Sequence, residues 1–342
     1  MKLNYSPHTL YFKRPFKIAH GTRDSTAIVL TELEYEGLVG YGEACLPPYL
    51  IETQDSVMQF LNKASNVLRL IKPPFNIENI LNKIDAIEKG NTAAKASIDI
   101  ALHDLYGKLN NKPCWELLGC NNTFTPYTTY TIGIDEPAVI KQKVDEASPF
   151  KILKVKLNGN SDKTVIETIR SITNKPIAVD VNQGWNNKEE ALKMIEWLAN
   201  KNVLFIEQAM PKNKLDDAFW LYERSPLPLF ADESVQTFSD IDSIKNCYHG
   251  INIKLMKCGG MFEAKKMIDK ARELNLKVLI GCMSETYCGV SAAAQLSPLV
   301  DYADLDGPLL IKNNLFSGIT FIEGKITLNN QSGIGVVKNN AF

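Results

Sequence analysis

The chain has 342 residues, 45% of them hydrophobic and 23% charged, a mix that excludes disordered and collagen-like chains. Its 38 Lys and Arg stand against 39 Asp and Glu for a net charge of −1, so no bulk basic field exists to hold nucleic acid or an anionic membrane. Apolar runs such as 27–30 and 278–280 fall far short of the roughly 20 residues a bilayer demands. From Met1 to Pro15 polar and apolar residues alternate, with none of the continuous apolar core of an export signal. Seven cysteines without a CxxC pair and four scattered histidines read as reduced thiols and no zinc motif. A soluble cytoplasmic enzyme is expected, with a homo-oligomer left open.

In chain order, residues 1–44 alternate in the manner of strands and predict a meander of about three. From Gln54 to Leu118 the period turns helical: Val57, Phe60, Leu61 and Ala64 form one stripe, and Ala94, Ile98, Ala101 and Leu105 another. The first hundred-odd residues therefore make a small α+β domain. After Pro126 short apolar runs recur about every 25 residues, most followed by an amphipathic helix: 127–134, 152–157, 176–181, 203–207, 227–232, 250–256, 277–281 and 300–305. Eight such runs predict a (β/α)8-type barrel with chemistry at the C-terminal strand ends. A doubly wound sheet shares the alternation, but no GxGxxG follows the first strand, and Gly259-Gly260 reads as a strand-to-helix turn. Beyond Pro308, pieces 319–322 and 325–328 have no helix left to pair with and are expected to return over the first domain.

The ends of these runs carry the chemistry. Strands three, four and five end in Asp180, Glu207 and Asp232, spaced 27 and 25 residues apart, one β/α unit each. Neighbouring strands lie about 4.8 Å apart, so three carboxylates at equal height would converge. Their mutual repulsion calls for a hard cation, and an all-oxygen set favours Mg²⁺. The competing reading is that each carboxylate caps the following helix. On strand two, Lys154 and Lys156 share one side of the strand; on strand six, Lys254 lies in apolar company. They are either a solvated face or two groups opposed across the metal. The second arrangement suits removal and return of a proton α to a carboxylate, because Mg²⁺ neutralises the developing enediolate and a desolvated lysine can act as base.

Gly40-Tyr-Gly42-Glu43, Lys154-Val-Lys156, Asp180-Val-Asn182-Gln-Gly-Trp185, Ile206-Glu207-Gln208, Ala231-Asp232-Glu233-Ser234 and Asn252-Ile-Lys254 together resemble the enolase superfamily, muconate-lactonizing-enzyme subgroup, over essentially the whole chain. Gln208-Ala209 departs from the Gln/Glu-Pro usual there. The resemblance implies a (β/α)7β-type modified TIM barrel over 125–308 and an α+β capping domain over 1–124, completed by 309–342. Gly281-Cys282-Met283-Ser-Glu285 and Asp304-Leu-Asp306 resemble the dipeptide epimerases, in which the paired aspartates hold the substrate's α-ammonium. The plain alternative is a pair of solvated loop carboxylates.

The implied roles are Asp180, Glu207 and Asp232 for one Mg²⁺, Lys156 and Lys254 as opposed bases, and Lys154 as electrostatic aid. Asp304, Asp306, Thr131, Lys154, Cys282 and Met283 would line the substrate site. The polar segment 19–26 reads either as a lid loop whose Arg23 forks onto a substrate side-chain carboxylate or as an ordinary hairpin loop. An L-Ala-D/L-Glu epimerase follows from this resemblance. Its rivals are o-succinylbenzoate synthase, muconate cycloisomerase and N-acylamino-acid racemase, whose substrates offer no ammonium to Asp304 and Asp306. A catalytically dead binding barrel is the rival of another class, and the intact lysines oppose it.

Overall fold

The computed structural model describes residues 1–18, 21–48 and 50–339, so Ala19 and His20 of the expected lid loop lie outside the described residues. The meander consists of β1 (Lys2–Ile18), β2 (Gly21–Tyr35) and β3 (Leu38–Leu46), antiparallel in that order. Glu36 and Gly37 join the last two with φ of 50° and 78°, the left-handed backbone that a two-residue hairpin requires. Segment 21–26 departs from expectation. It belongs to β2, with Arg23 paired to Phe16, because the hairpin continues its ladder where a loop was expected.

Behind the sheet lie α1 (Gln54–Arg69), α2 (Ile77–Asp85) and α3 (Thr92–Leu109). Thr53 and Ser56 cap α1 reciprocally, and its expected stripe is buried. Small residues let α3 sit directly on β3: a Cβ at Gly40 or Gly42 would be driven into the backbone carbonyls of Ala101 or Ser97. Contact that close is possible only with glycine on the strand.

All eight later runs become parallel strands: β4 (Thr129–Ile132), β5 (Ile152–Lys156), β6 (Ile177–Asp180), β7 (Val203–Glu207), β8 (Leu229–Ala231), β9 (Gly250–Lys254), β10 (Lys277–Gly281) and β11 (Tyr302–Asp304). They neighbour one another in sequence order, and a bridge from Thr128 to Ala303 links the last strand to the first. Helices join the strands, and among the described residues a single helical turn, Gly307–Leu310, follows β11. Phe205 and Phe230, with ring centroids 4.5 Å apart, pack with Ala178, Leu279 and Tyr302 into an apolar plug inside the barrel. Among the described residues no helix is long and apolar enough to cross a membrane.

The tail divides in two. Strands Thr320–Ile322 and Lys325–Thr327 pair with each other and reach the start of β4, where Tyr127 bridges Lys325 and Thr128 N–H donates to Gly324 O at 2.8 Å. These two pieces therefore cover the N-terminal end of the barrel, not the first domain as expected, since the Phe321 ring finds its aromatic neighbour in Phe150, just before β5. The flanking tail does meet the first domain: Lys312 N–H donates to Tyr11 O, and Cys114 N–H to Gly333 O, each at 2.8 Å.

Candidate active site

Strand register brings the charged residues to one rim. Lys156 pairs with Asp180 and Asp180 with Glu207. Asp232 lies just past the end of β8 and two positions beyond Phe230, the partner of Glu207, so the trio is stepped where equal height was expected. One oxygen from each still falls within 4.8 Å of the others. None of the three caps the next helix; those positions belong to Asn187, Lys214 and Thr237. All three carboxylates are buried, as are Lys154, Lys156 and Lys254. The lysines form no solvated face.

Out of reach of bulk solvent, the carboxylates are balanced by ammonium groups. Lys154 Nζ lies 2.7 Å from Glu207, 2.7 Å from Asp304 and 3.1 Å from Asp180. Lys156 meets Asp180 at 2.6 Å, and Lys254 meets Asp232 at 2.7 Å. Burial alone would lower Lys154, but Asp304, Glu207 and Asp180 outweigh it and hold its ammonium well above the usual lysine range. Burial likewise opposes ionisation of Asp180, yet Lys156 and Lys154 prevail and bring it down to about 2. Glu207 goes the other way, to about 7, through burial and the charge of Asp180. Its Oε2 faces Lys154 at 2.7 Å but accepts no hydrogen bond. An all-oxygen trio with such an atom fits a hard divalent cation.

Above the trio is a cavity of about 160 Å³. Thr131, Cys282, Met283, Asp304 and Asp306 line it together with the three lysines and Arg23. Asp304 and Asp306 are buried, not solvated. Asp304 Oδ1 accepts from Thr129 Oγ1 at 2.6 Å, and Asp306 Oδ2 from Thr131 N–H at 2.7 Å. Asp306 is raised to about 7 by burial and by Asp304. Arg23 leans over the Phe12 ring at 5.7 Å, and its buried Nη1 has no hydrogen-bond partner.

Four supporting residues were given no role by the sequence reading, although Gln208, Glu233 and Asn252 stand within its motifs. Gln208 Oε1 accepts from the N–H groups of Asp232 and Ser234 at 2.9 and 3.0 Å. Asn252 Nδ2 donates to Glu207 Oε1 at 2.6 Å, in space left by Gly281, where a Cβ would meet the Asn252 amide. Lys257 holds Asp232 Oδ1 at 2.5 Å. Glu233 borders the cavity, raised to about 7 by burial and by the charge of Asp232. A usable signal existed for Lys257: one helical turn beyond Lys254 returns a side chain to the same side.

Residues 6–119 match the mandelate racemase/muconate lactonizing enzyme N-terminal domain, and residues 138–341 match the enolase C-terminal domain-like family. An L-Ala-D/L-Glu epimerase of Bacteroides thetaiotaomicron is 52% identical over 99% of this chain and 88% of its own. Among solved structures, a substrate-liganded complex of the L-Ala-D/L-Glu epimerase from Bacillus subtilis superposes with a TM-score of 0.92 at 28% identity, covering 99% of both chains. A dipeptide epimerase from Enterococcus faecalis V583, complexed with Mg and L-Leu-L-Tyr, gives 0.91 at 32% identity over 98% of both. With both of its domains matched, the chain belongs to the mandelate racemase/muconate lactonizing enzyme family, within the enolase superfamily.

Proposed function

We propose that this chain is a Mg²⁺-dependent dipeptide epimerase that inverts the α-carbon of the C-terminal residue of L-Ala-D/L-Glu. One observation carries the reading. Lys156 on β5 and Lys254 on β9 stand four strands apart in an eight-stranded ring, on opposite walls above a buried carboxylate trio. Asp180, Glu207 and Asp232 would hold the metal, which when bound supplies positive charge against the substrate carboxylate as it gains electron density.

The lysines do the proton transfer. One, neutral, takes the α-proton, and the C–H electron pair moves into the carbon–carboxylate bond. The other, protonated, delivers its proton to the opposite face, so configuration inverts with no net change in the substrate's atoms. Lys154, kept cationic by its three carboxylates, is suited to stabilising charge and unsuited to act as base. Asp306, with Asp304 beside it, offers a buried carboxyl pair to the N-terminal ammonium, which disfavours N-acylated substrates. Thr131, Cys282 and Met283 shape the wall around it, and the unpartnered Arg23 Nη1 suits a glutamate side chain at the other end. Seven free cysteines support a reducing, cytoplasmic setting.

The test is incubation with a dipeptide library in D₂O, reading deuterium at the α-carbon by mass spectrometry. Exchange and inversion at the C-terminal residue of L-Ala-L-Glu, with N-acetyl-L-Ala-L-Glu a poor substrate, are expected. Equal turnover of N-acylated substrates would replace the reading with that of an acylamino-acid racemase.

A further inference from the structure

The barrel mouth holds a fourth buried lysine that no step above uses. Lys257 lies in the short helix Leu255–Cys258 that follows β9, and its side chain is 5% exposed. Its Nζ meets four oxygens: Asp232 Oδ1 at 2.5 Å, Asp232 O at 2.7 Å, and the carbonyls of Val235 and Asn252 at 3.0 Å. An ammonium has three protons, so these acceptors use its whole donor capacity. The lysine thus ties the side chain of Asp232 to its own backbone, to the turn that follows and to the neighbouring strand.

The two oxygens of Asp232 are divided between two lysines. Oδ1 belongs to Lys257 and Oδ2 to Lys254. Both lysines border the cavity, but Lys257 is anchored by three backbone carbonyls besides Oδ1, contacts that it would have to break to leave Asp232. Partners behind a ligating carboxylate orient it and set which atom it offers.

We propose that Lys257 is a positioning residue: by holding Asp232 through Oδ1, it presents Oδ2 as the single metal-facing oxygen and lets Lys254 leave that carboxylate when the ion arrives. The proposal rests on the Mg²⁺ site of the preceding section. It makes a prediction about metal affinity that packing alone would not.

The experiment is Mg²⁺ titration calorimetry on metal-stripped, full-length protein, comparing wild type, Lys257→Met, Asp232→Asn and the double variant. Lys257→Met is expected to weaken Mg²⁺ binding about 10- to 100-fold. In the Asp232→Asn background the same change is expected to shift affinity by no more than roughly twofold, because the two residues act as one unit. If Lys257→Met does not fold, as judged by circular dichroism without metal, Lys257→Gln carries the same cycle. Mg²⁺ affinity within about twofold of wild type, or an equal loss in both backgrounds, would overturn the proposal. A wild type that takes up no Mg²⁺ is a distinguishable result: it overturns the metal reading itself, and the proposal with it.

Discussion

Two regions of the molecule are crowded with buried carboxylates, and they are balanced in opposite ways. Along the seam between the first domain and the barrel, Glu43 on β3 accepts from Thr286 N–H at 3.0 Å, from Gly289 N–H at 3.3 Å and from the Thr286 hydroxyl. Asp99 on α3 accepts from Met261 and Phe262 N–H at 2.6 and 3.2 Å. Both thus sit at the N-termini of barrel helices, Tyr287–Ala294 and Met261–Glu273, where free N–H groups and the helix dipole favour an anion. At the barrel mouth the partners of Asp180, Asp232 and Asp304 include ammonium groups on long stems. A backbone amide cannot move away from its acceptor without breaking the fold, but a lysine side chain can. Burial of a carboxylate therefore says little about catalysis; the kind of donor facing it decides.

That contrast predicts where damage falls. The largest effect is expected from metal removal. Chelation of divalent ions, or Asp232→Asn, should abolish epimerisation while circular dichroism stays native. Full activity without divalent metal would erase the distinction between the regions. Next comes stability. Asp99→Ala leaves two helix-terminal N–H groups buried without an acceptor and should cost about 2 kcal/mol in urea denaturation with chelator present. Glu207→Gln, measured the same way, should cost less than about 1 kcal/mol, since Glu207, raised to about 7, is already partly protonated at neutral pH. Equal costs would show that the mouth is as structural as the seam.

A smaller effect concerns selectivity. Arg23→Met should lower the preference for L-Ala-L-Glu over L-Ala-L-Leu by about tenfold in kcat/KM, because a bidentate charge-assisted contact is worth roughly 1.5–3 kcal/mol. An unchanged ratio would remove Arg23 from the substrate site.

The smallest effect is a slope with pH. Glu285, whose Oε1 accepts from Met283 N–H at 2.7 Å, is raised to about 8 by burial and by the charge of Glu43. Its folded value exceeds the unfolded value near 4.5, so the folded chain binds the extra proton between them. Its contribution is complete below about 4.5 and is lost as pH rises towards 8. Glu285→Gln should therefore flatten the fall in melting temperature between pH 5 and 8. An identical slope in wild type and variant would assign that fall to other groups.

The two regions were unequally legible in the sequence. At the mouth, each functional residue ends an apolar run at β/α spacing, so Asp180, Glu207 and Asp232 were found by local pattern. The seam partners lie too far apart: Asp99 reaches Met261 across 162 positions and Glu43 reaches Thr286 across 243, and no local period links them. Arg23 was assigned to a loop because Gly21 and the polar residues around it mimic one, whereas the strand ladder runs through them. The hairpin at 320–327 was read as two strands but misplaced, since only tertiary contact with Tyr127 and Phe150 fixes where it docks. Gln208 and Asn252 stood in motifs but without a role, and Lys257 was missed, because each serves another residue of the site.

The account's central claim is that Lys156 and Lys254 work the two faces of one α-carbon. The direct measurement is α-deuterium exchange in D₂O for Lys156→Ala and Lys254→Ala, each given L-Ala-L-Glu and L-Ala-D-Glu separately with Mg²⁺. Each variant should lose inversion in both directions, by about 10²- to 10⁴-fold, and retain exchange with only one diastereomer, the two variants choosing opposite ones. Normal epimerisation by either single variant, or the same retained diastereomer in both, would contradict the claim.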